Sequence, residues 1–389
     1  MRFLTAGESH GKGLVIVIDG VPSHIKISKK NLDNILSSRQ KGYGRGGRQK
    51  IETDSVEILG GVRHGETTGA PLAFLINNRD SDNWAGIMSS EPYHGSYTQL
   101  NVPRPGHADL PGGMKYGHKD FRNVLERASA RETAARILSG AVGAAILEEF
   151  GITAEGFVVT IGKTFCDFEG TPEEIKKALR KTDPDEKYSL RMASKPAVQK
   201  AKAEIDNAVK KGDTLGGVIK VVTSKLPPGI GSYTQWDRKL DAKIAAGIMS
   251  LQAVKGVEFG AGFEYASKKG SESHDMIYRS PKAGYFRKTN NSGGIEGGMT
   301  NGEAVVLKAA VKPIATVRAG VESVNALTHK KVKTVYERSD TCAVPAAALI
   351  ACSITQYHIA DAFCEKFGSD SMAEISRNYK SYLKDIKGY

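Results

Sequence analysis

The chain has no apolar run approaching the roughly 20 residues that a membrane-crossing helix needs, which sets aside a helical membrane protein. Its first residues, Met1-Arg2-Phe3-Leu4-Thr5, run straight into a strand pattern without the apolar core of a signal peptide. Cysteine is scarce. Cys166, Cys342, Cys352 and Cys364 form no CxxC pair and no metal-ligand spacing, so the expectation is reduced, buried thiols in a cytoplasmic protein. The 9 histidines are scattered without HxH or HExxH, and no metal site is expected. GxSxG and Walker A patterns are also missing, which removes the commonest serine-hydrolase and nucleotide-hydrolase signatures. What remains is an ordinary soluble balance, 40% hydrophobic and 25% charged, on a chain long enough for a large core. The net charge of +12 points to an anionic substrate or to nucleic acid.

Three helices can be placed from pattern. Ser28 is the expected N-cap of one whose apolar face is Leu32, Ile35 and Leu36, ending near Arg39. Ser129 and Glu132 form an S-x-x-E capping box before Ala134, Ile137, Leu138, Ala141, Val142, Ala145 and Ile146, with Gly151 as the stop. A late helix from about Ala343, with Pro345 in its first turn, runs through Leu349, Ile354 and Ala362 toward Gly368. Strands are expected at Leu14–Asp19, Val56–Leu59, Leu72–Ile76, Gly156–Ile161, Val218–Val222 and Ala304–Val311. The lysine- and glutamate-rich stretch 171–212 opens on a second capping box, Thr171-Pro172-Glu173-Glu174. Its modest apolar stripe is Ala197, Val198, Ala201, Ile205 and Val209, and it reads as a peripheral helical insertion.

The two ends of the chain echo each other. Gly60-Gly61-Val62-Arg63-His64-Gly65-Glu66 and Gly297-Gly298-Met299-Thr300-Asn301-Gly302-Glu303 share the pattern GGxxxGE, each ahead of an apolar run. Upstream of each lies a proline turn, Val21-Pro22 or Pro227-Pro228, and then a helix carrying Leu-Asp, Leu32-Asp33 or Leu240-Asp241. The shared order favours an internal duplication packed as one pseudo-symmetric body, with a ligand where the halves meet.

Four clusters carry chemistry. Gly7-Glu8-Ser9-His10-Gly11 sets a histidine in a glycine-flanked turn, where a ligand can approach closely and the ring charge can change near physiological pH. Arg39 and Gly42-Tyr43-Gly44-Arg45-Gly46-Gly47-Arg48 contain a formal G-x-G-x-x-G, but a helix precedes it and a strand-like Ile51–Leu59 follows, the reverse of a dinucleotide fingerprint. A glycine loop presenting guanidiniums to a small anion fits better, with a solvated basic loop as the bland alternative. In the third, His107 sits between Pro105-Gly106 and Asp109, so that its ring can be fixed and its basicity tuned. Nearby, Ser129, flanked by Arg127 and Arg131, caps a helix whose free N–H groups suit a phosphate. The fourth joins Lys312-Pro313-Ile314-Ala315-Thr316 to Glu337-Arg338-Ser339-Asp340, where Asp340 is either a helix-start charge or a general base beside Arg338.

Taken together, these motifs resemble the chorismate synthase family along essentially the whole chain. The carriers are GESHG at Gly7–Gly11, RQxGYGRGGR at Arg39–Arg48, GVRHGxTTGAP at Gly61–Pro71 and RPGHADL at Arg104–Leu110. They continue with SARET at Ser129–Thr133, KGVEFGxGF at Lys255–Phe263, GGMTNG at Gly297–Gly302 and ERSD at Glu337–Asp340. The resemblance implies an α+β fold, a single-domain β-α-β sandwich over 1–389, assembled as a cytoplasmic homotetramer. It implies elimination of phosphate from 5-enolpyruvylshikimate 3-phosphate to give chorismate, dependent on reduced FMN with no net redox change. The hydrogen lost is not alpha to a carbonyl, so a base alone is insufficient and electron donation by the flavin gives a route to C–O cleavage.

By the same resemblance, His10 would protonate the departing phosphate and His107 would keep the reduced flavin in its working protonation state. Asp340 would assist proton removal through the flavin, with Ser9 and Ser129 supporting the hydrogen-bond network. Arg39, Arg45, Arg48, Arg104, Arg131 and Arg338 would clamp the substrate. FMN would lie against Arg127, Ala128, Ser129, Gln252, Ala253, Gly297, Lys312, Pro313, Ile314, Ala315, Thr316 and Arg338. Gln252 stands where the family commonly has Asn, and Ala128 where it commonly has Ser. An external flavin reductase or an NADPH-dependent reductant would supply electrons, with neither nucleic acid nor membrane as partner. A nucleic-acid-binding protein would explain the charge but not His10, His107 and Asp340, and it predicts steep salt dependence. A pyridine-nucleotide dehydrogenase would use Gly42–Gly47 in the wrong context.

Overall fold

The computed structural model describes residues 1–46, 54–281, 284–334, 337 and 339–389. Strands β1 (Arg2–Gly7) and β2 (Gly13–Asp19) form a hairpin in which Gly7 faces Leu14 and Arg2 faces Asp19. In β2 every second residue, Leu14, Ile16 and Ile18, is buried while Val17 is exposed, the period-2 pattern of a sheet with one covered face. Helix α1 (Lys29–Gln40) starts at Ser28, whose side chain accepts from Asn31 N as expected, and leads to β3 (Val56–Gly60) and β4 (Leu72–Asn77). The first sheet has the order β1-β2-β4-β3, all antiparallel.

Helices α2 (Asp109–Tyr116), α3 (Arg122–Ala128) and α4 (Thr133–Glu148) follow, then β5 (Ala154–Ile161), α5 (Pro172–Thr182), α6 (Lys195–Lys211) and β6 (Gly217–Lys225). The chain continues through α7 (Leu240–Met249), β7 (Val254–Phe259), β8 (Ala304–Val311), α8 (Val344–Phe367) and α9 (Met372–Lys387). The second sheet reads β5-β6-β8-β7, extended beyond β5 by Thr164–Phe165. It repeats the first sheet with β5 for β1, β6 for β2, β8 for β4 and β7 for β3. Helix α4 packs on the first sheet, α8 on the second and α4 on α8, so the arrangement is a sheet–helix–sheet sandwich of α+β class. Cys342, Cys352 and Cys364 are buried within it and Cys166 is half-buried.

The duplication is real, but its register differs from the GGxxxGE string. Thr67 N donates to Ile25 O at 2.9 Å and His24 N to Thr67 O at 2.9 Å. Thr67 Oγ1 donates to Pro22 O at 2.6 Å and accepts from Ile25 N at 2.9 Å. Thr300 makes the same four bonds. Its N donates to Ile230 O at 2.9 Å and its O accepts from Gly229 N at 2.8 Å. Its Oγ1 donates to Pro227 O at 2.7 Å and accepts from Ile230 N at 2.9 Å. Thr67 therefore corresponds to Thr300, and Gly65 to Gly298. The turn His64-Gly65 and the turn Gly297-Gly298 both have positive φ, which their two-residue hairpins require. The string matched glycines, whereas backbone geometry aligns turns.

Where α4 crosses α8, Gly140 lets the backbones touch: an added Cβ would lie 2.3 Å from Ser353 Cβ. Gly140→Leu is expected to destabilise the fold by about 1–3 kcal/mol or more through overpacking. A urea midpoint unchanged from the parent would show that the helices part without cost.

Two expectations change. Residues 171–212 do form helices, and Thr171 and Glu174 close their capping box reciprocally. However, α6 buries Ala197, Val198, Ala201, Ile205 and Ala208, not Val209, which is 46% exposed. Ile205 lies in the main core, Tyr43 Oη donates to Asp206 Oδ1 at 2.7 Å, and Gly42 N donates to Lys187 O at 2.9 Å. The segment thus braces the glycine loop. In addition, Ser129 and Glu132 form no reciprocal box. Ser129 Oγ accepts from Arg131 N, while Glu132 Oε1 accepts from Thr5 Oγ1 at 2.8 Å and Arg136 Nε at 2.8 Å. Thr5, distant in the chain, and Arg136, one helical turn on, outcompeted the Ser129 backbone for this carboxylate.

Candidate active site

A cavity of about 600 Å³ opens where the β1–β2 turn, the end of α1, the starts of α4 and α8, and the chain after β8 converge. Its walls include Ser9, His10, Arg39, Arg45, Arg104, His107 and Arg131 together with Asp340. Ala128, Ser129, Gln252, Ala253, Lys312, Pro313, Ile314, Ala315 and Thr316 line it as well. Stretches more than 300 residues apart in the chain therefore share one chamber, as Ser9 and Asp340 do. Arg48 and Arg338 lie outside the described residues, as does Gly47. Arg127 points away from the chamber: its guanidinium donates to Thr5 O at 2.9 Å and Gly7 O at 3.2 Å, fixing the end of β1. Gly297 is the tip of its hairpin, with open space around it, and is not part of this cavity wall.

Loop geometry puts His10 in place. Asn78 Nδ2 donates to Glu8 O at 3.0 Å and Gly11 O at 2.8 Å, and Ser9 N donates to Glu126 O at 3.1 Å. The His10 ring meets Glu126, with Nδ1 2.9 Å from Oε1, and lies against Trp84 with centroids 4.2 Å apart. Ser129 Oγ donates to Ser9 Oγ at 3.2 Å.

His107 is fixed by its neighbour in the motif. Its Nδ1 donates to Asp109 Oδ1 at 2.6 Å, and Arg104 Nη2 lies 3.2 Å from Nε2. Arg104 Nε donates to Asp109 Oδ2 at 2.8 Å, and Arg104 N to the same oxygen at 3.0 Å. Burial alone would raise the Asp109 carboxyl, but hydrogen bonds from His107 and Arg104 outweigh it and hold it well below the usual range.

The arginines come with internal counter-charges. Arg39 and Arg131 share Asp54 Oδ2 at 3.1 and 2.7 Å, and Asn78 Oδ1 accepts from Arg131 Nε at 3.0 Å and Nη2 at 2.8 Å. Arg45 Nη1 pairs with Asp340 Oδ2 at 2.7 Å, while Gly46 N donates to Asp340 Oδ1 at 2.6 Å. That approach requires Gly46, since a Cβ there would lie 2.7 Å from Ser339 O. A polyanion entering the cavity must therefore compete for guanidiniums that already have partners. Asp340 is placed as a carboxylate on the cavity wall rather than as a cap, for α8 begins only at Val344.

Sequence reasoning did not single out Asp54, Asn78, Trp84, Arg122 or Glu126. Glu126 stands one residue before the quoted Arg127 and Trp84 is one of 2 tryptophans, so both had a weak signal; Asp54 had none. Among the described residues no group of three or more His, Cys, Asp or Glu is placed to hold a metal, and no helix is long and apolar enough to cross a membrane.

The family model for chorismate synthase matches residues 1–364. A protein named chorismate synthase from Geobacter metallireducens is 49% identical over 397 aligned positions, covering 100% of both chains. One from Thermus thermophilus is 48% identical over 396, again covering 100% of both. A solved structure titled as a crystal structure of chorismate synthase superposes with a TM-score of 0.77 at 39% identity, covering 100% of this chain and 98% of that one.

Proposed function

The chain belongs to the chorismate synthase family and is a carbon–oxygen lyase, and from that premise we propose that it eliminates phosphate from 5-enolpyruvylshikimate 3-phosphate to give chorismate, using reduced FMN without net redox change. The observation that supports this most is the shared chamber, in which two carboxylate-held histidines and Asp340 face the same space as Arg39, Arg45, Arg104 and Arg131. Bidentate guanidiniums suit a substrate with two carboxylates and a phosphate. His10 offers a ring proton to the phosphate oxygen as the C–O bond breaks. Asp340, aligned by Arg45 and Gly46, offers a carboxylate for the proton leaving carbon.

The walls fit a flavin. Leu125, Leu251, Val311, Ala346, Ala347 and Ile350 supply apolar surface for a planar ring. Among the described residues, Gln252 Oε1 is buried without a hydrogen-bond partner, an acceptor suited to a ring N–H. Ala253 holds φ +70, a left-handed conformation that a non-glycine residue keeps at some cost. Ala128, Ser129, Gln252, Ala253 and Lys312 through Thr316 would hold the cofactor. When bound, FMN in its reduced form supplies transient electron donation for C–O cleavage. Gly297 would join such a site only in the neighbouring subunit of the homotetramer we propose, a cytoplasmic assembly supplied by an external flavin reductase or an NADPH-dependent reductant.

The test is anaerobic phosphate release from 5-enolpyruvylshikimate 3-phosphate, with and without dithionite-reduced FMN. One phosphate per chorismate, only with reduced flavin and without net flavin oxidation, is expected. No release from folded protein with intact substrate and flavin would overturn the assignment.

A further inference from the structure

We propose that Glu126 is a positioning residue for His10, holding its ring through Nδ1 so that Nε2 is the nitrogen that serves the substrate phosphate. This rests on the reading of His10 as the proton donor in phosphate elimination, and it adds a residue to which neither motif nor family resemblance gave a role.

The geometry is specific. The Glu126 side chain is fully buried, yet both its oxygens are engaged by His10: Oε1 by the ring Nδ1 at 2.9 Å, and Oε2 by Nδ1 at 3.0 Å and by the backbone N–H at 2.7 Å. One carboxylate thereby fixes both the backbone and the ring of the same residue. A fully buried carboxylate is stable only with compensating charge. Burial alone would raise the Glu126 carboxyl; the hydrogen bond and charge of His10, with Arg122, outweigh this and hold it below its ordinary value. Among the described residues, no protein hydrogen bond engages His10 Nε2, and the ring lines the cavity. Proton delivery breaks the Nε2–H bond and forms an O–H bond on the phosphate, which leaves with the C–O electron pair. The ring becomes neutral while Nδ1–H stays on Glu126.

The surroundings are arranged around this pair. Arg122, one helical turn before Glu126, donates to its Oε1 at 3.2 Å and reaches Glu337 at 3.4 Å. Its guanidinium carbon lies 4.9 Å from the Trp84 ring centroid, and Trp84 covers the His10 ring. Trp84 is itself tied by Nε1 to Asp80 Oδ2 at 3.3 Å. Among the described residues, Glu126 and Arg122 from α3, Glu337 beside Arg122, and Asp80 behind Trp84 are charged groups on the ring's wall side. Arg39, Arg45, Arg104, His107, Arg131, Lys312 and Asp340 share the cavity on its open side.

The experiment compares Glu126→Gln, Glu126→Ala, His10→Ala and the double variant Glu126→Gln/His10→Ala, all checked for folding by circular dichroism and thermal melting. Nitrogen-15 histidine NMR of the wild-type protein, with His10→Ala for assignment, should show a hydrogen-bonded Nδ1–H that disappears in Glu126→Ala, independently of any cofactor. In the phosphate-release assay, Glu126→Gln should lower kcat by about 10- to 100-fold with KM within about threefold. In the His10→Ala background the same change should cost nothing further. An equal loss in that background, or a Glu126→Gln kcat within a factor of two of wild type, would overturn the role of Glu126 while leaving that of His10 intact. Wild-type turnover in His10→Ala would overturn the donor reading on which it rests.

Discussion

Asp54→Ala is expected to destabilise the protein by about 3–5 kcal/mol and to abolish substrate binding in whatever still folds. Asp54 is the shared counter-charge of two buried guanidiniums, Arg39 and Arg131, which are 5% and 7% exposed. Burial already pushes Arg39 down to about 10, with Asp54 pulling it back up, so removing Asp54 leaves two buried cations facing each other. Arg131 also donates to Asn78, and Arg39 Nη1 to Thr133 Oγ1 at 3.3 Å, and both of these acceptors are neutral. Urea unfolding followed by tryptophan emission measures the loss. A midpoint within experimental error of the parent would show that water reaches these arginines and that they need no partner.

The pH dependence has a definite sign. Burial raises the Asp54 carboxyl, but Arg131 and then Arg39 outweigh it and set it below its ordinary value. A depressed carboxyl contributes stability above its unfolded value, which is lost as pH falls through the folded one. The wild-type protein should therefore lose this contribution below about pH 4. Asp54→Asn should show a flatter acid limb, read from melting temperatures across that range.

His107→Ala is expected to lower turnover by at least about 10²-fold, the usual scale for a proton-transfer residue. The ring sits between Asp109 and Arg104, both of which remain after the change, so the cavity keeps its charge pattern. Asp109→Asn should act more broadly, because Asp109 also orients Arg104 through its side chain and its backbone N–H. The two variants should differ in kind: His107→Ala mainly in kcat, Asp109→Asn in kcat and KM together. A His107→Ala enzyme within a factor of two of wild type would remove that ring from the mechanism.

Much of the molecule was legible in the amino-acid sequence. Expected strands appear in place with ends extended by a residue or a few, because ladder hydrogen bonding continues past the apolar run, as at Gly217–Lys225 against the expected Val218–Val222. The Ser28 cap, the late helix to Phe367 and the motif residues His10, His107 and Asp340 were all readable, since each is a local pattern of few residues. Less was legible where glycines and charges interrupt the pattern. Strand β7, with Gly256 and Glu258 in it, carried no clean alternation.

By itself, then, the sequence picked out His10, His107 and Asp340, which line one chamber, and pointed to two similar halves. Only the tertiary structure decided what each charged group is paired with. Glu126 meets His10 across 116 positions, Asp54 meets Arg131 across 77, and Asp340 meets Gly46 across 294. The threonines that register the two halves, Thr67 and Thr300, are likewise aligned by bonds to Pro22 and Pro227, not by the glycines around them. The physical reason is common to all of these. Local pattern reports backbone preference within a turn or two, while the state of a buried charge depends on the opposite charge that folding brings beside it.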